Sequence, residues 1–340
     1  MSFDEIMQQI TSGLSSNSEK DIPYLREQME KYKSHEMSKE IIRACGRLVY
    51  ELLPADKKDV LIKVIKNDEY AYETALDEVR FNIYKKDYVK ALSMIESIIK
   101  KAESLDAFQN DAVSEYYTFD EPFEEVIFKI RNESDKEVRR TPIPFSTMYL
   151  LYGNLLFELK RYDEAQEALR KSLKWNPISA DARFEYIETY KVAGDFETFF
   201  SLSKQALTYV FRPADIARCY RNIGFYFVEK KLYREATFCY LLSADFDRES
   251  KQVQSELYFI SHNSKQDFGD PSLEDIEAIG KEFDFCIGPN DDVIGASYGI
   301  GKQCLEAKNY PLAKYFLGIT YNLVQDVEIK DIIDSIPSEA

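Results

Sequence analysis

The chain has 340 residues, 45% of them hydrophobic and 31% charged, a composition that excludes disorder throughout. Its formal net charge of −16 opposes phosphate backbones and anionic lipid heads, so nucleic acid and membrane surfaces are poor partners. Only 12 Gly and 11 Pro interrupt the chain, which leaves room for long helices.

The N-terminus, Met1-Ser2-Phe3-Asp4-Glu5, has no basic stretch followed by an apolar one and does not read as a signal peptide. No run approaches the length of a membrane span, and the expected location is the cytoplasm. Leu25–Lys33, Lys39–Leu52 and Lys57–Lys66 show helical apolar spacing. Lys86-Asp87-Tyr88-Val89-Lys90-Ala91, with Ile95 following, has the turn and second helix of a hairpin. Residues 104–145 break the pattern. They hold Tyr116-Tyr117-Thr118-Phe119-Asp120-Glu121-Pro122-Phe123, a short helix over Glu124–Arg131, and then Arg139-Arg140-Thr141-Pro142-Ile143-Pro144. The two prolines bias Thr141 and Ile143 towards extended backbone, so a helix cannot simply continue there.

From Ser146 onward the chain repeats. The first unit reads Tyr149-x-x-Tyr152-Gly153-x-x-Leu156, then Ala165-x-x-x-Leu169, then Pro177. Ile187 follows Gly153 by 34 residues and opens a second unit with Tyr186, Tyr190 and Ala206, in which Phe199 replaces the small residue. The third unit reads Tyr220-x-x-Ile223-Gly224-x-x-Phe227, then Ala236-x-x-x-Tyr240. Gly and Ala at these points remove bulk where two antiparallel helices cross, and the large residues beside them form an apolar stripe. A further match lies at Ile300-Gly301-x-x-Cys304, Tyr310 and Ala313-x-x-x-Leu317. Glu249–His262 and Ser272–Phe285 are the helix pair expected between, the second opening on the capping box Ser272-Leu273-Glu274-Asp275. Val327–Ile336 reads as a closing helix.

This pattern resembles the tetratricopeptide repeat, W-x-x-L-G-x-x-Y…A-x-x-x-F…P. The resemblance implies an all-α, right-handed solenoid of antiparallel helix pairs. The expected layout is an N-terminal helical region at 1–103 with a degenerate repeat, an irregular insertion at 104–145, and an array at 146–340. In this superfamily the first helix of each repeat lines a groove that takes a protein or peptide. Carried onto this chain, the groove candidates are Asn154 and Phe157, then Phe184 and Lys191, then Arg218, Arg221 and Phe225, with Thr147, Leu150, Asp181, Glu188 and Val228 beside them. The family's carboxylate clamp is incomplete: Asn154 and Arg218 match it, whereas Leu150, Glu185 and Asn222 depart from it. Arg218 and Arg221 share a helix face. They could fork a carboxylate with Asn154, or pair with Glu185 and Glu188 of the neighbouring repeat.

The five Cys are Cys45, Cys219, Cys239, Cys286 and Cys304; none forms a C-x-x-C pair, and they read as small core residues in a reducing compartment. His35 and His262 have no partner at metal-ligand spacing. Nucleotide-loop, hydrolase and metalloprotease motifs are missing. Asn290 before Asp291-Asp292 reads as a helix cap rather than part of a calcium loop. The sequence therefore predicts a non-enzymatic adaptor or scaffold without cofactor or metal. Its partner is a protein or peptide, and self-association is compatible with it. The alternative is a regulatory protein that changes conformation when a peptide fills the groove. The insertion is expected either to pack against the array near Asn154 and Phe157 or to form a partly disordered surface loop.

Overall fold

The computed structural model describes residues 2–54, 72–104 and 108–337. The Lys57–Lys66 helix expected from sequence lies outside the described residues. Among the described residues the chain is all-α apart from one pair of short strands, and it divides into two compact units. The first comprises residues 1–118 and 134–155, the second residues 119–133 and 156–340.

In the first unit, α1 (Phe3–Ser12), α2 (Ser18–Lys31) and α3 (Ser38–Leu52) close around Ile6, Ile10, Leu25, Ile41 and Cys45. The capping box of α1 uses Ser2 and Glu5, and Asn17 caps α2 by accepting from Glu19 N–H, so each of these two helices starts with one free N–H group satisfied. Helix α4 (residues 72–84) and α5 (Tyr88–Glu103) form the degenerate hairpin. Strands β1 (Ser114–Tyr117) and β2 (Glu137–Arg140) pair in parallel, Ser114 opposite Glu137 and Tyr117 opposite Arg140. That pairing was not foreseen for a segment expected to be irregular. The start of α7 (Phe145–Glu158) is tied down by Ser146, whose N–H donates to Thr118 Oγ1 at 3.2 Å.

The second unit contains α6 (Pro122–Arg131), the end of α7, and then α8 (Tyr162–Trp175), α9 (Ala180–Ala193), α10 (Phe196–Leu207), α11 (Pro213–Glu229) and α12 (Tyr233–Phe246). These alternate as first and second helices of the expected hairpins, with Gly194 in the left-handed region at the α9–α10 turn. Gly224 marks the α11–α12 crossing, because a Cβ there would stand 3.0 Å from the Tyr240 ring. Gly301 does the same for α15 (Asp291–Glu306) on α16 (Tyr310–Val324), where a Cβ would stand 2.8 Å from Leu317. Ala165, Ala236 and Ala313 are fully buried opposite these first helices.

Helices α13 (Lys251–Ser264), α14 (Leu273–Phe283) and α17 (Val327–Ser335) form where expected, α14 with the Ser272–Asp275 capping box. The expectation that α13 and α14 simply add to the stack is corrected. Helix α13 packs on α12, whereas α14 reaches back to side chains of α10, α11 and α12. Its start meets Arg234 of α12, which reaches Asp275 at 2.6 Å. Its end meets α10 and α11: Lys204 Nζ donates to the Phe283 carbonyl at 2.8 Å, and the Phe227 and Phe283 rings meet edge to face at 4.7 Å. Tyr220 then holds the outgoing chain, its hydroxyl accepting from Gly288 N–H at 2.7 Å. The physical reason is aromatic burial, since Phe227 gains both Phe283 and Phe285 as neighbours.

Candidate functional site

The candidate face is built on α9 and α11, the first helices of two successive hairpins. Arg218, Arg221, Phe225 and Val228 recur at helical spacing on α11 and are all half-buried, which is the exposure of a lining rather than of a core. On α9, Asp181 is exposed and Glu185 and Glu188 are half-buried along the matching stripe.

The two arginines diverge. Arg218 turns back to α9, where Nη2 meets Glu185 Oε1 at 3.2 Å and the guanidinium lies 4.6 Å over the Phe184 ring. Arg221 turns forward to the end of α12, where Nη1 meets Asp247 Oδ2 at 3.0 Å and Ser243 Oγ at 3.3 Å. Each guanidinium therefore has its own carboxylate, and the two do not form one fork. The pairing of Arg218 with Glu185 matches expectation. Glu188 is corrected as the partner of Arg221, since Glu188 stands 3.8 Å from Lys191 Nζ.

Lys191 and Phe225 come together: the ammonium lies 4.2 Å from the centre of the Phe225 ring. Phe196 and Phe199 meet the same ring edge to face. The Phe199 that replaces the repeat's small residue thus supports Phe225 from behind. Phe157 is half-buried against Tyr162 at 5.2 Å. Phe184 is only 1% exposed, so it serves the face as the base under Arg218 rather than as a contact surface. Asn154 belongs to the first unit; its Oδ1 is buried and has no hydrogen-bond partner.

Sequence reasoning placed Asn222 only as a departure from the clamp. It stands one helical turn after Arg218, it is buried, and its Nδ2 has no acceptor. Sequence reasoning missed the polar junction at the start of α6. Glu124 Oε2 accepts from Asn176 Nδ2 at 2.9 Å and from the backbone N–H groups of Asp120 and Glu121. Burial pushes the Glu124 carboxyl up to about 7, against the pull of the Asn176 amide. The available signal was Glu121-Pro122-x-Glu124, with Pro at a helix start and a carboxylate in position to cap it.

Among the described residues no group of His, Cys, Asp and Glu could hold a metal ion, and no helix is long and apolar enough to cross a membrane. Cys45, Cys219 and Cys239 are buried, and burial raises all three thiols.

Residues 146–179 match the tetratricopeptide repeat family model, and they span the α7–α8 hairpin through its closing turn. The same Gly/Ala spacing recurs at Gly224/Ala236 and Gly301/Ala313, so the chain carries one matched tetratricopeptide repeat and two further hairpins of the same pattern. Comparison with curated proteins gives no match. Among solved structures it is similar to a MamA RS-1 ArsTM double mutant, at 13% identity and a TM-score of 0.40, over 63% of this chain and 94% of that one. It is also similar to YrrB, a TPR protein described as having an unusual peptide-binding site, at 15% identity and 0.31, over 63% and 98%. A third is the APC/C hetero-tetramer Cut9-Hcn1, at 12% and 0.33, over 94% and 60%.

Proposed function

We propose that this chain is a non-enzymatic, cytoplasmic adaptor that binds a protein or peptide along the first-helix face of its hairpins. The observation that carries this reading is the buried, unpaired Nδ2 of Asn222 beside Arg218. A buried amide donor left without an acceptor costs about 1–3 kcal/mol, and the backbone carbonyl of a bound chain would satisfy it. Arg218, Arg221 and Lys191 already face carboxylates or rings, so the partner is read by its backbone and by apolar side chains meeting Phe225 and Phe157.

The test is to recover the partner by affinity purification from the native cell and to compare its affinity for the wild type and for Asn222→Leu. We expect binding to weaken by about tenfold while the melting temperature holds, because the substitution removes a polar group that the free protein leaves unsatisfied. Unchanged affinity, with α11 amides equally exchangeable in the free and bound protein, would move the binding face elsewhere.

A further inference from the structure

Helix α6 is an excursion in sequence and a part of the second unit in space. Its apolar residues are seated like a ligand. Phe123 is fully buried, and its ring meets Phe211 edge to face at 5.1 Å and Phe316 at 5.8 Å. Ile127 and Phe128 are buried alongside. Polar groups fix the orientation. Asn176 donates to Glu124, Tyr315 Oη donates to Glu121 Oε2 at 2.8 Å, and Arg212 Nη1 stands 3.8 Å from Glu121 Oε1. At the other end, Arg131 Nη1 donates to the Thr208 carbonyl at 3.3 Å. The surface that receives α6 thus comes from the loops after α8 and α10 and from α16, three places far apart in sequence.

One side of α6 stays open to solvent. A shallow surface groove of about 460 Å³ runs between α6 and α15, lined by Val126, Ile130, Ala296, Gly299 and Ile300. Ile130 is 55% exposed at its edge. A smaller hollow lies on the Thr208 side.

We propose that Asn176, Phe211, Arg212, Tyr315 and Phe316 form a receptor for a short amphipathic helix with the pattern Glu-x-Phe-Glu followed by apolar residues one turn on. In this chain α6 occupies it, and an external helix of the same chemistry takes it when α6 leaves. The site is separate from the first-helix face of α9 and α11. Its recognition elements are complementary to that pattern: an aromatic pair for the Phe, an amide for one carboxylate, and a guanidinium with a phenol for the other.

The experiment uses the full chain carrying Phe123→Ala and Ile127→Ala, which loosen α6, and a fluorescein-labelled peptide of residues 119–133. Fluorescence polarisation should show saturable binding to the loosened chain, at least about tenfold tighter than to the wild type, where α6 competes at high effective concentration. The same peptide with Phe123→Ala should not bind. A loosened chain that keeps its helical circular dichroism yet ignores the peptide overturns the proposal. So does a dimer that forms on loosening and excludes the peptide, which would assign the surface to a second copy. If the loosened chain does not fold, hydrogen exchange on the wild type decides. Amides of α6 exchanging about tenfold or more faster than those of α11 support a seat that opens locally. Exchange of α6 in step with α11 makes it ordinary core and ends the idea.

Discussion

Asn176 is fully buried and divides its side chain between two elements: Nδ2 donates to Glu124 at 2.9 Å, and Oδ1 accepts from Ile178 N–H at 3.3 Å. One amide therefore fixes the turn after α8 and the start of α6 together. Replacing it with Ala strands the Glu124 carboxylate and frees the turn, a loss of about 1–3 kcal/mol. Urea unfolding of Asn176→Ala checks this, and a smaller effect than that of the exposed Arg170→Ala would refute it.

The Glu124 carboxyl supplies a pH dependence with a definite sign. Its value in the folded protein is raised to about 7 by burial, so the folded state holds a proton that the unfolded chain releases near the ordinary carboxylate range. The stabilisation is fully present below that range and is lost as pH rises through about 7. The groups facing it are Asp120, Glu121 and Asn176. Chemical-denaturation stability measured from pH 5 to 8 should fall, and Glu124→Gln should flatten that part of the slope. An equal slope in the variant rules out Glu124 as its source.

Two glycines should respond in opposite directions. Gly224→Val forces side-chain atoms into the fully buried Tyr240 ring and should cost about 1–3 kcal/mol. Gly299 has nothing within 4 Å of a Cβ position, so Gly299→Ala should gain about 0.5–1 kcal/mol from helix propensity. Melting temperatures that move the same way would show that one of the two surroundings is wrongly assigned.

The arginines should also separate. Arg221 keeps 14% of its side chain exposed and Arg218 keeps 32%. Arg221→Ala leaves Asp247 and Ser243 without their shared donor and should cost about 1–2 kcal/mol. A double-mutant cycle between Arg218 and Glu185 should give a coupling under about 1 kcal/mol, the value of a half-exposed pair. A larger coupling there than between Arg221 and Asp247 would reverse the assignment.

The repeats were legible because their information is local. Gly153, Gly224 and Gly301, each followed by Ala twelve residues later, announce a hairpin within one stretch of chain. Arg218 and Glu185 were legible as a pair because a repeat period brings them level. Arg221 was not, since the end of α12 outcompetes Glu188 for it, and that depends on how α12 terminates at Asp247. The return of α14 onto Phe227 and the seating of Phe123 between Phe211 and Phe316 depend on non-local contacts that no periodicity encodes. Asn222 was read only as a departure from the clamp, because its interest lies in a missing partner, which a sequence cannot display.

The parallel pairing of β1 with β2 bears on how the excursion carrying α6 changes over time. Parallel strands place the exit of one and the entry of the next at opposite ends of the ladder, about 13 Å apart for four residues. Whatever joins Tyr117 to Glu137 must cross that span, but the ladder does not dictate what the connection contains. The content of the connection is set instead by its own packing: Phe123 between Phe211 and Phe316, and Glu124 on Asn176, are the positions at which a change of sequence would be felt, while exposed Ile130 can vary at little cost.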